Sequence, residues 1–223
     1  MSAVITSLNV SMPVAVQYQG KTITTGIFKQ PVSGPLQLNE TGLEGDGQFD
    51  LRNHGGVDKA VYAYPLEHYS IWQQHLGGER LHCGSFGENL TIQGLLEDQI
   101  HIGDHIAVGN TVLEVSQPRI PCYKLAMALK QPRSFVKTFS RSQRLGFYLR
   151  VLKTGQLNVN DPVEVIHRDP QGISVAEICA LYFNDTENFV RIKAAVQLKP
   201  LPNNISDVFL QRLIKAGRTP PEV

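Results

Sequence analysis

Cysteine is scarce: the 223 residues hold three, at positions 83, 122 and 179. So small and odd a number excludes a disulfide framework and favours a reducing compartment. No run of apolar residues is long enough to span a bilayer. The first basic residue is Lys21, and Asn9, Ser11 and Pro13 interrupt the opening apolar stretch. Met1–Pro13 therefore does not read as a signal peptide, and a cytoplasmic protein with no membrane contact is expected. Charge of either sign is barely in excess, with 21 Lys+Arg against 20 Asp+Glu, which gives no reason to expect nucleic acid. No G-x-G-x-x-G occurs. Gln19-Gly20-Lys21-Thr22 ends like a phosphate-binding loop, but Ala15 stands where its first glycine belongs and the context is strand–turn–strand. His68 and His75 do not make the H-E-x-x-H of a zinc protease.

What remains is a globular composition, 42% hydrophobic and 18% charged with 19 Gly and 13 Pro, able to bury a real core. Up to about residue 168 the chain reads as short strands: 4–10, 14–18, 22–28, 100–102, 105–108, 111–115, 146–152 and 163–167. Gln19-Gly20 and Gly109-Asn110 read as hairpin turns, where glycine relieves a positive φ. Strands without alternating helices predict a closed or partly closed antiparallel barrel over 1–168. One helix over 65–76, with Leu66, Tyr69, Trp72 and Leu76 on one face, interrupts it. After Asp169-Pro170, Ser174 and Glu177 form a capping box, Asn184 and Glu187 repeat the signature, and Ser206 is expected to cap a third helix that stops at Gly217. Residues 169–223 are thus a small all-α segment of three helices. Its six basic and six acidic side chains argue against a nucleic-acid module.

Charge is unevenly distributed. No acidic residue lies between Glu114 and Asp161, while nine basic ones do, from Arg119 to Lys153. Within this run Cys122 follows Gln117-Pro118-Arg119-Ile120-Pro121. Two prolines stiffen the approach, and Arg119 and Lys124 bracket the thiol, so a reactive or metal-binding cysteine is expected. Cys83 and Cys179 have no partner at ligand spacing and read as small buried fillers. His101 and His105 lack a third ligand at recognisable spacing and read as strand positions facing solvent. Three glycine-rich polar loops, 42–47, 52–59 and 84–91, could bring backbone close to a bulky ligand. With Cys122 they suggest one site.

These elements together resemble the MOSC family, named for the C-terminal domain of molybdenum cofactor sulfurase, and more closely its bacterial YiiM branch. The matching stretches are Thr25-Gly-Ile-Phe-Lys-Gln-Pro-Val32, Leu43-Glu-Gly-Asp46, His54-Gly-Gly-Val-Asp-Lys-Ala60, Phe86-Gly-Glu-Asn-Leu-Thr91 and Pro118-Arg-Ile-Pro-Cys122, followed by Gly146-Phe-Tyr-Leu-Arg-Val151 and Asn160-Asp161. The resemblance implies a mainly β fold, a MOSC-type β-barrel with peripheral helices followed by the three-helix segment. It also implies a molybdenum cofactor, Mo-pyranopterin, with Cys122 as the metal ligand, and Lys29, Asn89 and Arg119 in or beside the cofactor motifs. The implied activity is reduction of N-hydroxylated compounds to amines, as in resistance to N-hydroxylated purine bases such as 6-hydroxylaminopurine. On this reading His54 and Glu88 are candidates for proton delivery, with Glu44 in reserve. Arg52, Lys59 and Arg119 are candidates for the pterin phosphate. The same pocket would serve a carrier of the cofactor, or of a persulfide on Cys122, without turnover, and a module acting only through its helices is a third reading. The chain, monomer or homodimer, has no electron-carrier motif, so a separate flavoprotein or ferredoxin-type donor is expected to dock on the basic run.

Overall fold

The structure is a computed structural model describing residues 3–51 and 55–221. Its strands are β1 (Ala3–Val10), β2 (Val14–Tyr18), β3 (Lys21–Thr25), β4 (Gln30–Val32), β5 (Leu36–Asn39), β6 (Gly42–Leu43), β7 (Val61–Pro65), β8 (Leu90–Gln93), β9 (His105–Val108), β10 (Thr111–Pro118), β11 (Phe147–Lys153), β12 (Gly155–Leu157) and β13 (Pro162–His167). The helices are α1 (Glu67–His75), α2 (Tyr123–Ala128), α3 (Phe135–Arg141), α4 (Val175–Phe183), α5 (Phe189–Val196) and α6 (Asn203–Lys215).

Seven strands run in the order β13-β9-β10-β11-β7-β8-β1, and β1 pairs back to β13 through Ala3↔Val163 and Val4↔Pro162. The result is a closed barrel with β4 added beside β1. Closure removes the unpaired edges that an open sheet would expose. Alternation directs one side of each strand inward. In β9, Ile106 and Val108 are buried while His105 and Ala107 are not; across the ladder Leu113, Val115, Leu149 and Val61 are fully buried. The barrel is antiparallel except for β7 and β8, which run parallel because α1 provides the crossover between them.

Two hairpin turns fall where glycine marks them. Gln19 and Gly20 both have positive φ between β2 and β3; between β9 and β10 only Gly109 does. Other elements differ from the sequence reading. Residues 100–102 form a turn joined to Ser174 by one isolated bridge, with Ile100 and Ile102 buried, not a barrel strand. β7 has every residue buried and so carries no period-2 signal, and Pro65 ends this strand instead of opening the helix expected over 65–76. α1 starts only at Glu67. α2 and α3, of six and seven residues, are too short to show a helical period. Ser206 lies inside α6; Pro202, with φ fixed and no N–H to lose, occupies the cap.

The strands end at His167, but the hydrophobic core does not. Ile178, Ile192 and Phe209 of the helices belong to one buried cluster with the barrel residues. Arg150 on β11 ties the two parts: its guanidinium bonds Asp58 and Glu114 at 2.5 Å each and donates to the Pro200 carbonyl at 2.7 Å. Among the described residues no helix is long and apolar enough to cross a membrane.

Gly146 opens β11 at φ +65°, and a Cβ there would sit 2.4 Å from the Ala63 carbonyl oxygen. Gly146→Ala should therefore cost at least ~2 kcal/mol, from strained φ plus a clash with immobile backbone. Gly20→Ala, also at positive φ but in open space, should cost about 1 kcal/mol. Urea midpoints of the two variants check the ordering.

Candidate functional site

Six separate parts of the chain, most of them loops, converge on one cleft. Its lining includes Thr25–Ile27 and Lys29, residues 46–50, Lys59, Ala60 and Tyr62, Gly87 and Asn89, then Arg119, Cys122, Lys124 and Tyr148. The cleft encloses about 90 Å³ and opens to solvent. The Thr25–Val32 stretch, the Gly42–Gly47 loop, the Gly84–Thr91 loop and the Cys122 loop are thereby brought together.

Asp46 organises one wall. It accepts from the Ser11 backbone N–H at 2.9 Å and the Asn89 amide at 3.0 Å, and it pairs with the buried Lys29 ammonium. Asn89 uses its carbonyl to accept the Tyr62 N–H at 3.0 Å and its amide also reaches the Asn9 carbonyl. Asn89 is thus a splice between β7, β1 and the Asp46 loop. Burial pulls the Lys29 pKa down, against the pull of Asp46. The pKa of Lys59, the last residue of the Val57–Lys59 helical turn, is likewise lowered by burial, opposed by Asp58 and Asp50.

The same cleft is lined by Arg119 and Cys122. Arg119 is buried, donates to the Phe86 carbonyl at 2.7 Å, and lies over the Tyr62 ring at 4.9 Å. Burial opposes its charge, but Tyr62, Tyr148 and Cys122 around it more than offset that, and its pKa is raised. The guanidinium is a fixed cation at the cleft wall. Cys122 is half-buried, in extended backbone just ahead of α2.

Glu88, expected to deliver protons, does not line the cleft. Its buried carboxylate accepts from Gly84 N–H at 2.7 Å, Phe86 N–H at 3.1 Å, the Thr91 hydroxyl at 3.0 Å and the Tyr69 hydroxyl. Its acceptor positions are spent shaping its own loop. Burial raises its pKa, with those donors pulling the other way. Glu44 is exposed and outside the cleft lining as well. Arg52 and His54 lie outside the described residues. Lys29, Lys59, Asn89, Arg119 and Cys122 all line the cleft.

The lining glycines behave differently from the sequence reading. A Cβ on Gly26 would meet the Gly47 carbonyl at 2.7 Å, one on Gly47 would meet Pro13 at 2.5 Å, and one on Gly87 would meet Ile27 at 2.8 Å. These positions let loops approach one another, not a ligand. Sequence reasoning also passed over Tyr62 and Tyr148, the aromatic pair beside Arg119; Tyr62 sits in the fully buried strand that gave no alternation. Among the described residues no group of three or more His, Cys, Asp or Glu is arranged to hold a metal ion by itself. His101 faces Asp104 at 3.2 Å and His105 faces Glu114 at 3.4 Å. Cys179 is buried, but Cys83 is half-exposed and not the buried filler expected.

A molybdenum cofactor would need a soft sulfur ligand and cations for an anionic pterin. The cleft has one cysteine sulfur, with Lys29, Lys59, Arg119 and Lys124 against Asp46 and Asp50. That donor set fits such a group.

The MOSC domain family matches residues 50–164. YflK of Bacillus subtilis, an uncharacterized protein, is 38% identical over 92% of both chains. The crystal structure of YiiM from Geobacillus stearothermophilus superposes with a TM-score of 0.80 at 32% identity, over 95% of this chain and 99% of that one. A Gibberella moniliformis protein named Reductase is 33% identical over 90% of this chain but only 36% of its own length. With a barrel and cleft of this design, the chain belongs to the MOSC domain family. Within that family it is a YiiM-type protein.

The thiols differ enough in burial to be told apart chemically. Burial, with Glu97 adding to it, pushes the Cys179 thiol well up. Iodoacetamide should label Cys122 and Cys83 in the native protein within minutes and Cys179 only after denaturation, as read by peptide mass spectrometry.

Proposed function

We propose that this protein is a molybdenum-cofactor-dependent reductase that converts N-hydroxylated compounds, N-hydroxylated purine bases among them, to amines. The observation that carries this reading is Cys122 lining a cleft beside Lys29, Lys59, Arg119 and Lys124. The relative named Reductase supports it. The overall conversion takes two electrons and two protons, breaks the N–O bond, and gives an amine and water. When bound, the cofactor supplies the two-electron chemistry. The chain's own part is to hold and orient. Cys122 offers the sulfur ligand. Arg119, fixed by the Phe86 carbonyl and the Tyr62 face, offers a desolvated cation for an anionic group, and Lys59 adds a second cation to the same lining. Tyr62 and Tyr148, in ring contact, add aromatic surface to the same lining. Proton delivery falls to His54, on the chemistry of imidazole near neutral pH.

Electrons come from a separate acidic flavoprotein or ferredoxin-type donor. The basic run does not form one surface: Arg119 is inside the cleft, and Arg150 is bound to Asp58, Glu114 and Pro200. Lys130, Arg133, Lys137 and Arg141 remain exposed on and around α2 and α3, the segment that continues directly from Cys122. That is the proposed docking face.

Protein purified from a host that makes the cofactor, supplied with reduced viologen and an N-hydroxylated base, should form the amine. Cys122→Ala should lose at least 100-fold in rate and most of its bound molybdenum, whereas Cys179→Ala should keep both. Holo-protein that binds molybdenum yet leaves the base unchanged would make it a cofactor carrier instead.

With a flavin reductase as donor, the rate should fall steeply with salt, because the Debye length shrinks from about 10 Å at 0.1 M to about 3 Å at 1 M. Charge reversal at Lys130, Arg133 or Lys137 should slow that coupled assay and leave the viologen assay within twofold. Equal loss in both assays would place these residues in the fold and not in docking.

A further inference from the structure

Glu97 and His68 form a buried pair that the cleft lining does not use. Their side chains are almost fully enclosed, His68 Nε2 lies 2.7 Å from Glu97 Oε2, and neither residue lines the cleft. The other carboxylate oxygen, Oε1, accepts the Gly146 N–H at 2.7 Å. A satisfied buried hydrogen bond adds little net stability, whereas removing one partner strands the other. What the pair holds is therefore more informative than what it contributes to stability.

It holds a three-residue hub. The Gly146 carbonyl accepts the Arg119 N–H at 3.2 Å. The Leu145 carbonyl accepts the Tyr62 hydroxyl at 2.7 Å, and the Arg144 carbonyl accepts the Tyr64 hydroxyl at 3.1 Å. On the side where a Cβ would stand, Gly146 is packed against the Ala63 carbonyl and the Tyr62 and Tyr64 rings. From Arg119 the chain reaches Cys122 in three residues that include Pro121, with Pro118 just before, so the position of one constrains the other. On the far side, the Glu97 carbonyl accepts the Ala176 N–H at 2.9 Å, which links the first turn of α4 to the same residue.

We propose that Glu97, oriented by His68 and braced by α4, is a positioning residue that sets Arg119 and Cys122 through Gly146. It touches no reacting group and acts through the backbone of its neighbours. Its consequence for rate rests on the reductase reading; its consequence for Cys122 does not. Displacement of a reacting constellation by about 1 Å can cost on the order of 100-fold in rate. A short carboxylate-to-backbone bond of this kind is the sort of contact that prevents it.

The test uses the full-length protein and three readouts: urea unfolding, the rate of Cys122 alkylation by iodoacetamide with Cys83 as internal reference, and viologen-driven kcat and KM. Glu97→Ala should change the Cys122 to Cys83 labelling ratio at least threefold and lower kcat at least tenfold, with KM moving less than threefold. Glu97→Gln, which still offers an oxygen to Gly146, should restore labelling and kcat to within threefold of the parent. A folded Glu97→Ala with labelling ratio and kcat both within twofold of the parent overturns the proposal. So does a Glu97→Gln no better than Glu97→Ala, which would mean a merely structural role. Should Glu97→Ala not fold, Glu97→Asp, one methylene too short to span both partners, is held to the same thresholds. If the parent itself turns nothing over, the reductase reading fails, and the labelling ratio alone decides the positioning role.

Discussion

A single buried carboxylate, that of Asp46, holds the candidate site in register. A carboxylate removed from water is costly unless every lone pair finds a donor. Here the donors are the backbone of Ser11, the amide of Asn89 and the ammonium of Lys29, and each comes from a different loop. Those loops cannot separate without stranding the charge. Lys29, Asn89 and the glycine contacts between Gly26 and Gly47 are where they are because Asp46 is satisfied only there. The site is a by-product of solving one desolvation problem.

The same logic accounts for the second carboxylate. Glu88 and Asp46 sit in glycine-rich loops of similar appearance, yet Glu88 turns away from the cleft. Its four donors belong to its own loop and to Tyr69, so it shapes the Gly84–Thr91 turn that presents Asn89. Asp46 fastens loops to one another, whereas Glu88 closes its own loop and ties it to α1 through Tyr69. Together they fix the wall that the Cys122 sulfur shares with Lys29, Lys59 and Arg119 in one cleft lining.

This division explains what was legible in the sequence. The barrel, its two glycine hairpins and the Cys122 loop could be read because glycine, proline and alternation carry local signals, and Lys29, Lys59, Asn89 and Arg119 because they fall in recognisable motifs. β7 was invisible since burial on both faces erases alternation, and Tyr62 was lost with it. α2 and α3 were too short to announce a period. Glu88 was misplaced because a sequence shows that a carboxylate is present, not which donors have already claimed it. Arg150 is adjacent to the basic run in sequence but not in space; its three bonds to Asp58, Glu114 and Pro200 remove it from that surface.

The pairing of Ala3 with Val163 has a consequence for how the molecule is made. β4 covers only Leu8, Asn9 and Val10 of that edge of β1, so its end at Ala3 and Val4 stays open until the last strand of the barrel arrives. Until β13 is synthesised, β1 and its growing neighbours present unpaired backbone, the condition that invites association between nascent chains. Folding dominated by such distant pairings is slow. Yield in a producing cell should therefore depend on the protection given to the emerging chain more than on the stability of the finished barrel.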